Sequence, residues 1–444
     1  MNTFRIGGVH PPENKISVGS TIQIVPLPKQ AIVPLSQHLG APATPVVAKG
    51  DVVKVGQLIA AAAGFISANV HSPVSGKVLK IDDTIDAWGA KMPAIFINVD
   101  GDEWDENIDR TTEINPICKL SKEEIIARVK DAGIVGLGGA CFPTHVKLNP
   151  PPGKSAEVLI INAVECEPYL TCDHQLMMQY SKEIIIGVNI LMKALDVKRT
   201  IIGIENNKPD AIKEISDLAK AQMGIEVMPL KVQYPQGGEK QLIAATIGRE
   251  VPSGALPIEV GAVVQNVATV YAVYQAVQKN KPLIERLITV TGKSLKTQGN
   301  FWVRFGTSLT DVMEMVGGIP EDTGKIVAGG PMMGRAMSSV DMPANKRVSG
   351  MLLLPQGESK RQEAQNCIRC AKCVTACPMG LEPYLLSKQS EMSRWDAMEQ
   401  THIMDCIECG CCSFSCPSHR PLLDYIRLGK NKVGGIIRAR AVKN

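Results

Sequence analysis

The chain changes its hydrophobic rhythm several times. From about Ile32 to Val99, apolar and β-branched residues alternate with polar ones in short runs, GDVVKVGQLIA and then GFISANVHSPVSGKVLKI, punctuated by Gly50, Gly56, Gly64 and Gly76. Alternation broken by glycine predicts short strands and turns, hence a small all-β unit. From about Ser121 the period lengthens. SKEEIIARVKDAG predicts an amphipathic helix with Ser121 as N-cap and Gly133 as its stop. VLIINAVE (158–165) is a continuous apolar run suited to a buried strand. SKEIIIGVNILMKAL then predicts a helix, RTIIGIE a strand and PDAIKEISDLAKAQ another helix. That alternation predicts an α/β sandwich with substantial parallel sheet.

Around 286–340 the pattern changes again. LITVTGKSLKTQGNFWVRFGTSLTDVMEMVGG predicts strand, turn, strand and a helix closed by Gly317 and Gly318. After Pro355 a polar segment, QGESKRQEAQN, leads into two cysteine-rich runs separated by LEPYLLSKQSEMSRWDAMEQTHIMD, which has helical composition.

Composition narrows the setting. At 444 residues the chain exceeds one ordinary core and predicts roughly three or more modules. Thirteen cysteines would suggest disulfides in a secreted chain, but eight fall in the two runs and five are scattered (Cys118, Cys141, Cys166, Cys172, Cys411), which fits a reducing cytoplasm. No signal-like segment opens the sequence, and no stretch of about 18 apolar residues occurs. A net charge of +4 without a basic, aromatic-interleaved stripe predicts no nucleic-acid partner. The tail after Cys416 is basic, with Arg420, Arg427, Lys430, Lys432, Arg438, Arg440 and Lys443 against Asp424 alone. It fits an acidic partner, anionic lipid or a solvated terminus equally.

The chemistry lies in the cysteine runs. CIRCAKCVTACP (Cys367, Cys370, Cys373, Cys377) and CIECGCCSFSCP (Cys406, Cys409, Cys412, Cys416) both read CxxCxxCxxxCP. Structural zinc normally uses two CxxC pairs joined by a longer loop. Three thiolates on one short loop reach three corners of one cubane, and in two-cluster ferredoxins the fourth cysteine of each run ligates the other cluster. The pattern predicts Cys367, Cys370, Cys373 and Cys416 on one [4Fe–4S] cluster, and Cys406, Cys409, Cys412 and Cys377 on a second. Cys411 falls outside the pattern.

A second site is predicted at GIVGLGGACFPTHVK. Glycines at 133, 136, 138 and 139 let backbone N–H groups approach a phosphate or flat ring, with Lys147 as a point charge, although a plain tight turn has the same composition. The loop resembles the GxxGxGGAGFPTxxK flavin loop of the complex I 51-kDa flavoprotein family. Three further phrases follow in that family's order: INAVECEP, YPQGGEKQL and VVQNVAT. The resemblance implies an FMN and NAD(H) site. It implies that Gly136, Gly138, Gly139 and Lys147 lie near the flavin and that Asn266 and Thr269 lie near its phosphate. Glu165 or Glu167 would lie near flavin and nicotinamide nucleotide, with Asn162, Tyr234, Gly237 and Glu239 completing the surround. Departures from the pattern are Val135 and Leu137 where that family carries arginine, Cys141 for Gly, Val164 for Asp and Gln265 for Asn. The anion contacts of those arginines are then absent or supplied elsewhere.

The β unit around GDVVKVGQ and HSPVSGKV resembles the barrel-sandwich fold of lipoyl carriers without their modified lysine, which implies a scaffold. GTSLTDVMEMVGG resembles a soluble-ligand-binding β-grasp (SLBB) module, which implies either ligand binding or a spacer. The module order and the opening FRIGGVHPPENK resemble, over essentially the whole chain, the C subunits of Rnf ion-translocating oxidoreductases, in a form without the alanine- and lysine-rich repeat of some members. The implied fold is multidomain α/β and α+β. Its parts are an arm and barrel-sandwich domain (1–115), an FMN/NAD(H) α/β domain (116–285), an SLBB β-grasp module (286–354) and a helical ferredoxin domain with two clusters and a basic tail (355–444).

The family implies hydride exchange between NAD(H) and FMN and one-electron relay through the clusters. The implied partners are other subunits of a membrane complex and, through them, ferredoxin, at a peripheral position on the cytoplasmic side of the membrane. A cobalamin reductase, similar from the glycine loop onward, and a non-enzymatic electron adaptor are the competing expectations.

Overall fold

The computed structural model describes every residue except Trp88 and Asn444. Its centre is a four-stranded parallel sheet in the order Ile225–Leu230, Thr200–Glu205, Val158–Asn162, Ala262–Asn266. Three of these strands are largely apolar and buried because helices cover both faces, while the edge strand Ile225–Leu230 is mostly half-exposed. The helices Lys122–Asp131, Ser181–Leu195 and Val267–Lys279 bury Ile125, Val129, Ile184, Leu191, Val270 and Val273 on one side. Glu239–Ile247 buries Leu242 and Ile243 on the other. The predicted Ser121 cap is present as a full capping box with Glu124, and Gly133 follows in the left-handed conformation at φ +64°. By sequence the strand order is 3-2-1-4. The order of strands therefore reverses between Val158–Asn162 and Ala262–Asn266, and a parallel sheet opens its ligand crevice at the carboxyl ends of two such strands.

The β unit is built from a four-stranded sheet (Gln30–Pro34, Lys91–Gly101, Ser75–Ile85, Val52–Val53) facing a three-stranded one (Thr44–Pro45, Leu58–Ala61, Val70–His71). Val33, Ile59, Val78, Ile95 and Ile97 fill the space between them. The β-grasp unit is a six-stranded mixed sheet in the order Gln23–Ile24, Gly299–Arg304, Glu285–Thr291, Gly350–Pro355, Thr323–Ala328, Arg335–Ala336, with the helix Leu309–Met315 packed on it.

The arm belongs to no single unit. Asn2 bridges Leu230 at the sheet edge, Val9 bridges Tyr234, the Glu13 carbonyl accepts from the Tyr169 N–H, and Gln23 and Ile24 pair with Phe301 and Trp302 of the β-grasp sheet. With the Gly8 N–H donating to Ala376 O of the C-terminal unit at 3.0 Å, it laces three units together before the chain enters the barrel sandwich.

The C-terminal unit repeats one motif. Each cysteine loop has two left-handed residues at matching positions, Arg369 and Ala371 in the first and Glu408 and Gly410 in the second. Each leads into a one-turn helix, Lys372–Thr375 or Cys411–Phe414, and then a longer one, Pro383–Glu391 or Leu422–Lys443. The basic tail is thus part of a 22-residue helix. Arg427 and Lys430 pair with Glu408, and Arg440 pairs with Glu399 and Asp396, so several of its cations are satisfied within the chain. Among the described residues no helix is long and apolar enough to cross a membrane.

Candidate functional site: a glycine loop and two cysteine loops

At the sheet's switch point, Asn162 and Asn266 stand in register at the ends of neighbouring strands. Asn266 caps the helix Val267–Lys279, its Oδ1 accepting from the Ala268 N–H at 2.9 Å while its Nδ2 donates to Asp173 at 2.7 Å. The glycine loop folds over this end. Gly136 N–H bonds Phe142 O, and Leu137 N–H donates to Thr269 Oγ1 at 2.9 Å. A Cβ on Gly138 would lie 2.8 Å from the Asn266 side chain, whereas one on Gly139 would meet nothing within 4 Å. The loop thus packs on Asn266 at one glycine and leaves open space at the next, as a cradle for a flat or phosphorylated group requires.

Lys147 donates to Glu239 at 2.6 Å and to Val264 O at 3.1 Å, and Asn162 Nδ2 donates to Gly237 O at 2.8 Å. Gly136, Gly138, Gly139, Lys147, Asn162, Gly237, Glu239, Asn266 and Thr269 therefore converge on one end of the sheet. These residues fit FMN in their chemistry: backbone donors, an N-terminal helix end and a lysine.

Glu165, Glu167 and Tyr234 face elsewhere. Glu165 is buried beneath the crevice, accepting from the N–H groups of Asp173 (2.7 Å) and His174 (3.3 Å); burial pushes its carboxyl up to about 7. Glu167 accepts from Met332 N–H (3.1 Å) and Met333 N–H (2.7 Å) of the β-grasp unit, and burial raises it to about 7 as well. Tyr234 donates its hydroxyl to Cys409 O at 2.8 Å. The last two stand between the flavin domain and the second cysteine loop.

That second loop is the inner one. Cys409, Cys411 and Cys412 are buried and Cys406 is half-buried. Cys377, from the other run, lines the same cavity as Cys406, Cys409 and Cys412. Burial holds Cys406 up at about 11, and the neighbouring thiols raise one another's proton affinity further. Iron must displace those protons, so cluster binding here releases acid. Cys411 holds its proton against Cys409, which lowers the Cys409 thiol and raises Cys411. In the outer loop Cys367 and Cys370 are exposed, and Cys373 lies close enough to Cys416 to feel its charge. The fourth cysteine of each run thus stands beside the opposite run. The thiolate-rich donor sets fit cubane clusters.

Sequence reasoning missed three groups that hold these sites. Lys15 Nζ donates to the carbonyls of Glu165 (2.8 Å), Glu167 (2.9 Å) and Leu170 (2.6 Å). Gly7, at φ +70°, lies against the backbone of Cys377 and Pro378, where a Cβ would come within 2.4 Å. Lys346 of the β-grasp unit is fully buried and donates to Asn69 O and Gly133 O. The Gly-Gly and Pro-Pro pairs of GGVHPPENK constrain the backbone there, but nothing in the sequence signals its contacts.

A flavin-type α/β domain followed by a β-grasp unit and a dicluster domain defines an electron-transfer flavo-iron–sulfur protein. Family comparison agrees: "RnfC Barrel sandwich hybrid domain" matches residues 3–102, "Nuo51 FMN-binding domain" 129–275, "SLBB domain" 287–336 and "4Fe-4S dicluster domain" 359–417. The C subunit of the proton-translocating ferredoxin:NAD(+) oxidoreductase complex of Clostridium ljungdahlii is 44% identical over 97% of this chain and 94% of its own length. The Na(+)-translocating counterpart of Acetobacterium woodii is 41% identical over 97% of each chain. The C subunit of the ion-translocating oxidoreductase complex of Rhodobacter capsulatus is 40% identical over 98% of this chain and 84% of its own length. An air-oxidized NAD+-reducing [NiFe]-hydrogenase shares the fold over 70% of this chain and 66% of its own (TM-score 0.50, 17% identity). The chain belongs to the family of C subunits of ion-translocating ferredoxin:NAD(+) oxidoreductase complexes, and is an electron-transfer subunit with FMN-binding and [4Fe–4S] dicluster domains.

Proposed function

We propose that the chain exchanges a hydride between NAD(H) and FMN at the glycine loop and relays single electrons through the inner and then the outer cluster, to or from a partner subunit. Bound flavin supplies the conversion between a two-electron hydride and single electrons. The chain's own residues do the positioning. Gly136, Gly138 and Gly139 carry the loop backbone beside the ring, Gly138 by packing on Asn266 and Gly139 by leaving open space; Lys147 and the Asn266 helix end attract the phosphate, Asn162, Gly237 and Glu239 shape the site, and Thr269 fixes the loop. The inner cluster takes Cys406, Cys409, Cys412 and Cys377; the outer takes Cys367, Cys370, Cys373 and Cys416. We assign the chain to a peripheral place on the cytoplasmic side of the membrane, with ferredoxin reached only through other subunits.

One observation carries the reading: the buried cysteine loop abuts the flavin domain through the Tyr234–Cys409 hydrogen bond, while the other loop is open to solvent. That order is the one a wire from an internal flavin to an external partner needs. Anaerobic purification, flavin extraction and an NADH-to-ferricyanide assay form the test. Protein with about eight irons but neither flavin nor NADH oxidation would sink the dehydrogenase reading and leave an electron adaptor.

A further inference from the structure

The glycine loop is gripped from outside its own domain. Arg286, near the start of the β-grasp strand Glu285–Thr291, is 4% exposed. Its Nη2 donates to Leu137 O at 3.0 Å and its Nη1 to Lys346 O at 2.5 Å, while Nε has no partner. Among the described residues no carboxylate forms an ion pair with this guanidinium. The acid that feels its charge, Asp173, is bonded to Asn266 and pushed by burial toward its neutral form. Arginine stays charged in proteins, so a full positive charge is buried against the loop with only carbonyl partners, an arrangement that is costly unless an anion compensates it.

The peptide it touches points the way. Leu137 O and Gly138 N–H are two ends of one amide group. A charge-assisted hydrogen bond to the oxygen polarises the amide and strengthens the N–H as a donor. That N–H makes no hydrogen bond within the chain among the described residues. Leu137 also occupies a position where the complex I flavin loop carries an arginine.

We propose that Arg286 is a positioning residue of the flavin site: through the Leu137–Gly138 peptide it directs positive potential at the bound ring and so favours the reduced, anionic flavin over the oxidised one. The β-grasp unit thereby returns the charge that the loop itself lacks. Lys346 orients the fork, since its carbonyl takes one guanidinium N–H while its amine holds Gly133 O. The inference rests on the FMN reading above.

The test uses the full chain, anaerobically loaded with FMN, as wild type, Arg286→Gln, Arg286→Lys and Arg286→His. Midpoint potentials and dissociation constants for FMN and riboflavin are measured, with circular dichroism and iron content as controls of folding. For Arg286→Gln the preference for reduced over oxidised flavin should fall about tenfold, a midpoint about 30 mV more negative for a two-electron couple. Affinity for oxidised FMN should change less than about threefold, and Arg286→Lys should recover most of the shift. Should Arg286→Gln not fold, Arg286→His reads the same charge. Its midpoint should fall relative to wild type as pH rises through the imidazole range.

An unchanged midpoint in a flavin-loaded variant overturns the proposal and leaves the FMN reading standing. Loss of FMN affinity with riboflavin affinity intact also overturns it, because the charge would then serve the phosphate. A wild type that takes up no flavin overturns both.

Discussion

The two cysteine loops have the same spacing, the same left-handed positions and the same following helices, yet their surroundings differ. The outer loop exposes Cys367 and Cys370, and Ile368 beside them is 68% exposed. The inner loop is enclosed by Tyr234, Glu167, the Met332–Met333 backbone and the arm. The charged residue at the matching left-handed position also differs: Arg369 in the outer loop, Glu408 in the inner one, where Arg427 and Lys430 neutralise it. A repeated motif can therefore supply two electronically distinct clusters without changing a single ligand, because burial and nearby charge set cluster potential. The difference also separates an inward side, against the flavin-type domain, from an outward side open to solvent.

The sharpest break of this comparison is ligand exchange. Cys377 belongs by sequence to the outer run but lines the inner cavity. Cys377→Ala should abolish or reshape the EPR signal of the inner cluster, leave that of the outer cluster largely intact, and stop NADH from reducing the outer cluster. Loss confined to the outer cluster would refute the exchange.

Next in size is the arm. Gly7 has φ +70°, and a Cβ there would sit 2.4 to 2.6 Å from Cys377 C, Cys377 O and Pro378 N. Backbone cannot yield as a flexible side chain does, so Gly7→Ala should cost about 2–3 kcal/mol through strain and overpacking. The cost should appear as a lower thermal midpoint for the inner cluster's signal and unchanged behaviour of the outer. Equal loss of both clusters would mean that the arm merely stabilises the whole domain.

The third effect depends on pH. Burial raises Glu167 from the usual carboxylate range to about 7. A raised folded-state value means that the neutral form is favoured by folding. Stability is then fully present below the unfolded-state value, near 4.5, and is lost as pH rises through about 7. Ionisation should cost on the order of 3 kcal/mol, and Glu167→Gln should remove it. The variant's stability should gain on wild type between about pH 5 and about pH 8, as urea midpoints measured at several pH values would record, whereas a constant offset at every pH would show that Glu167 does not titrate there.

The fold was legible where the physics is local. The Ser121 capping box, the 181–195 helix and the glycine-punctuated strands follow from propensity and period, and the cluster loops from spacing. What could not be read was contact between units. Lys15, Lys346 and Arg286 are ordinary basic residues in the sequence, and only the tertiary arrangement turns them onto carbonyls of another unit. Tyr234 and Glu167 were legible as members of two phrases, but those phrases could not tell that both residues face a cysteine loop far along the chain. The arm's paired glycines were visible while their purpose was not, since a glycine records that something comes close and never what does.

The smallest test isolates a single methyl group. Ala371 in the outer loop and Gly410 in the inner loop both adopt left-handed backbone, at φ +58° and +82°. Alanine is therefore tolerated by the motif itself, and the glycine needs another explanation. The Met332 carbonyl supplies it: a Cβ on Gly410 would lie 2.8 Å from that oxygen, with the rest of its surroundings at 3.7 Å or beyond. The β-grasp unit presses on the inner loop at this point, one residue from the Glu167 contact that holds the Met333 N–H. Gly410→Ala should push the loop away and cost about 1–2 kcal/mol, partly conformational and partly steric. Ala371→Gly relieves left-handed strain and adds only chain entropy, so it should change stability by less than about 1 kcal/mol. If Gly410→Ala also shifts the inner cluster's EPR line shape while Ala371→Gly leaves the outer one unchanged, the loops differ by what leans on them. Matching responses would mean that the β-grasp contact has no bearing on the inner cluster and that exposure alone separates the pair.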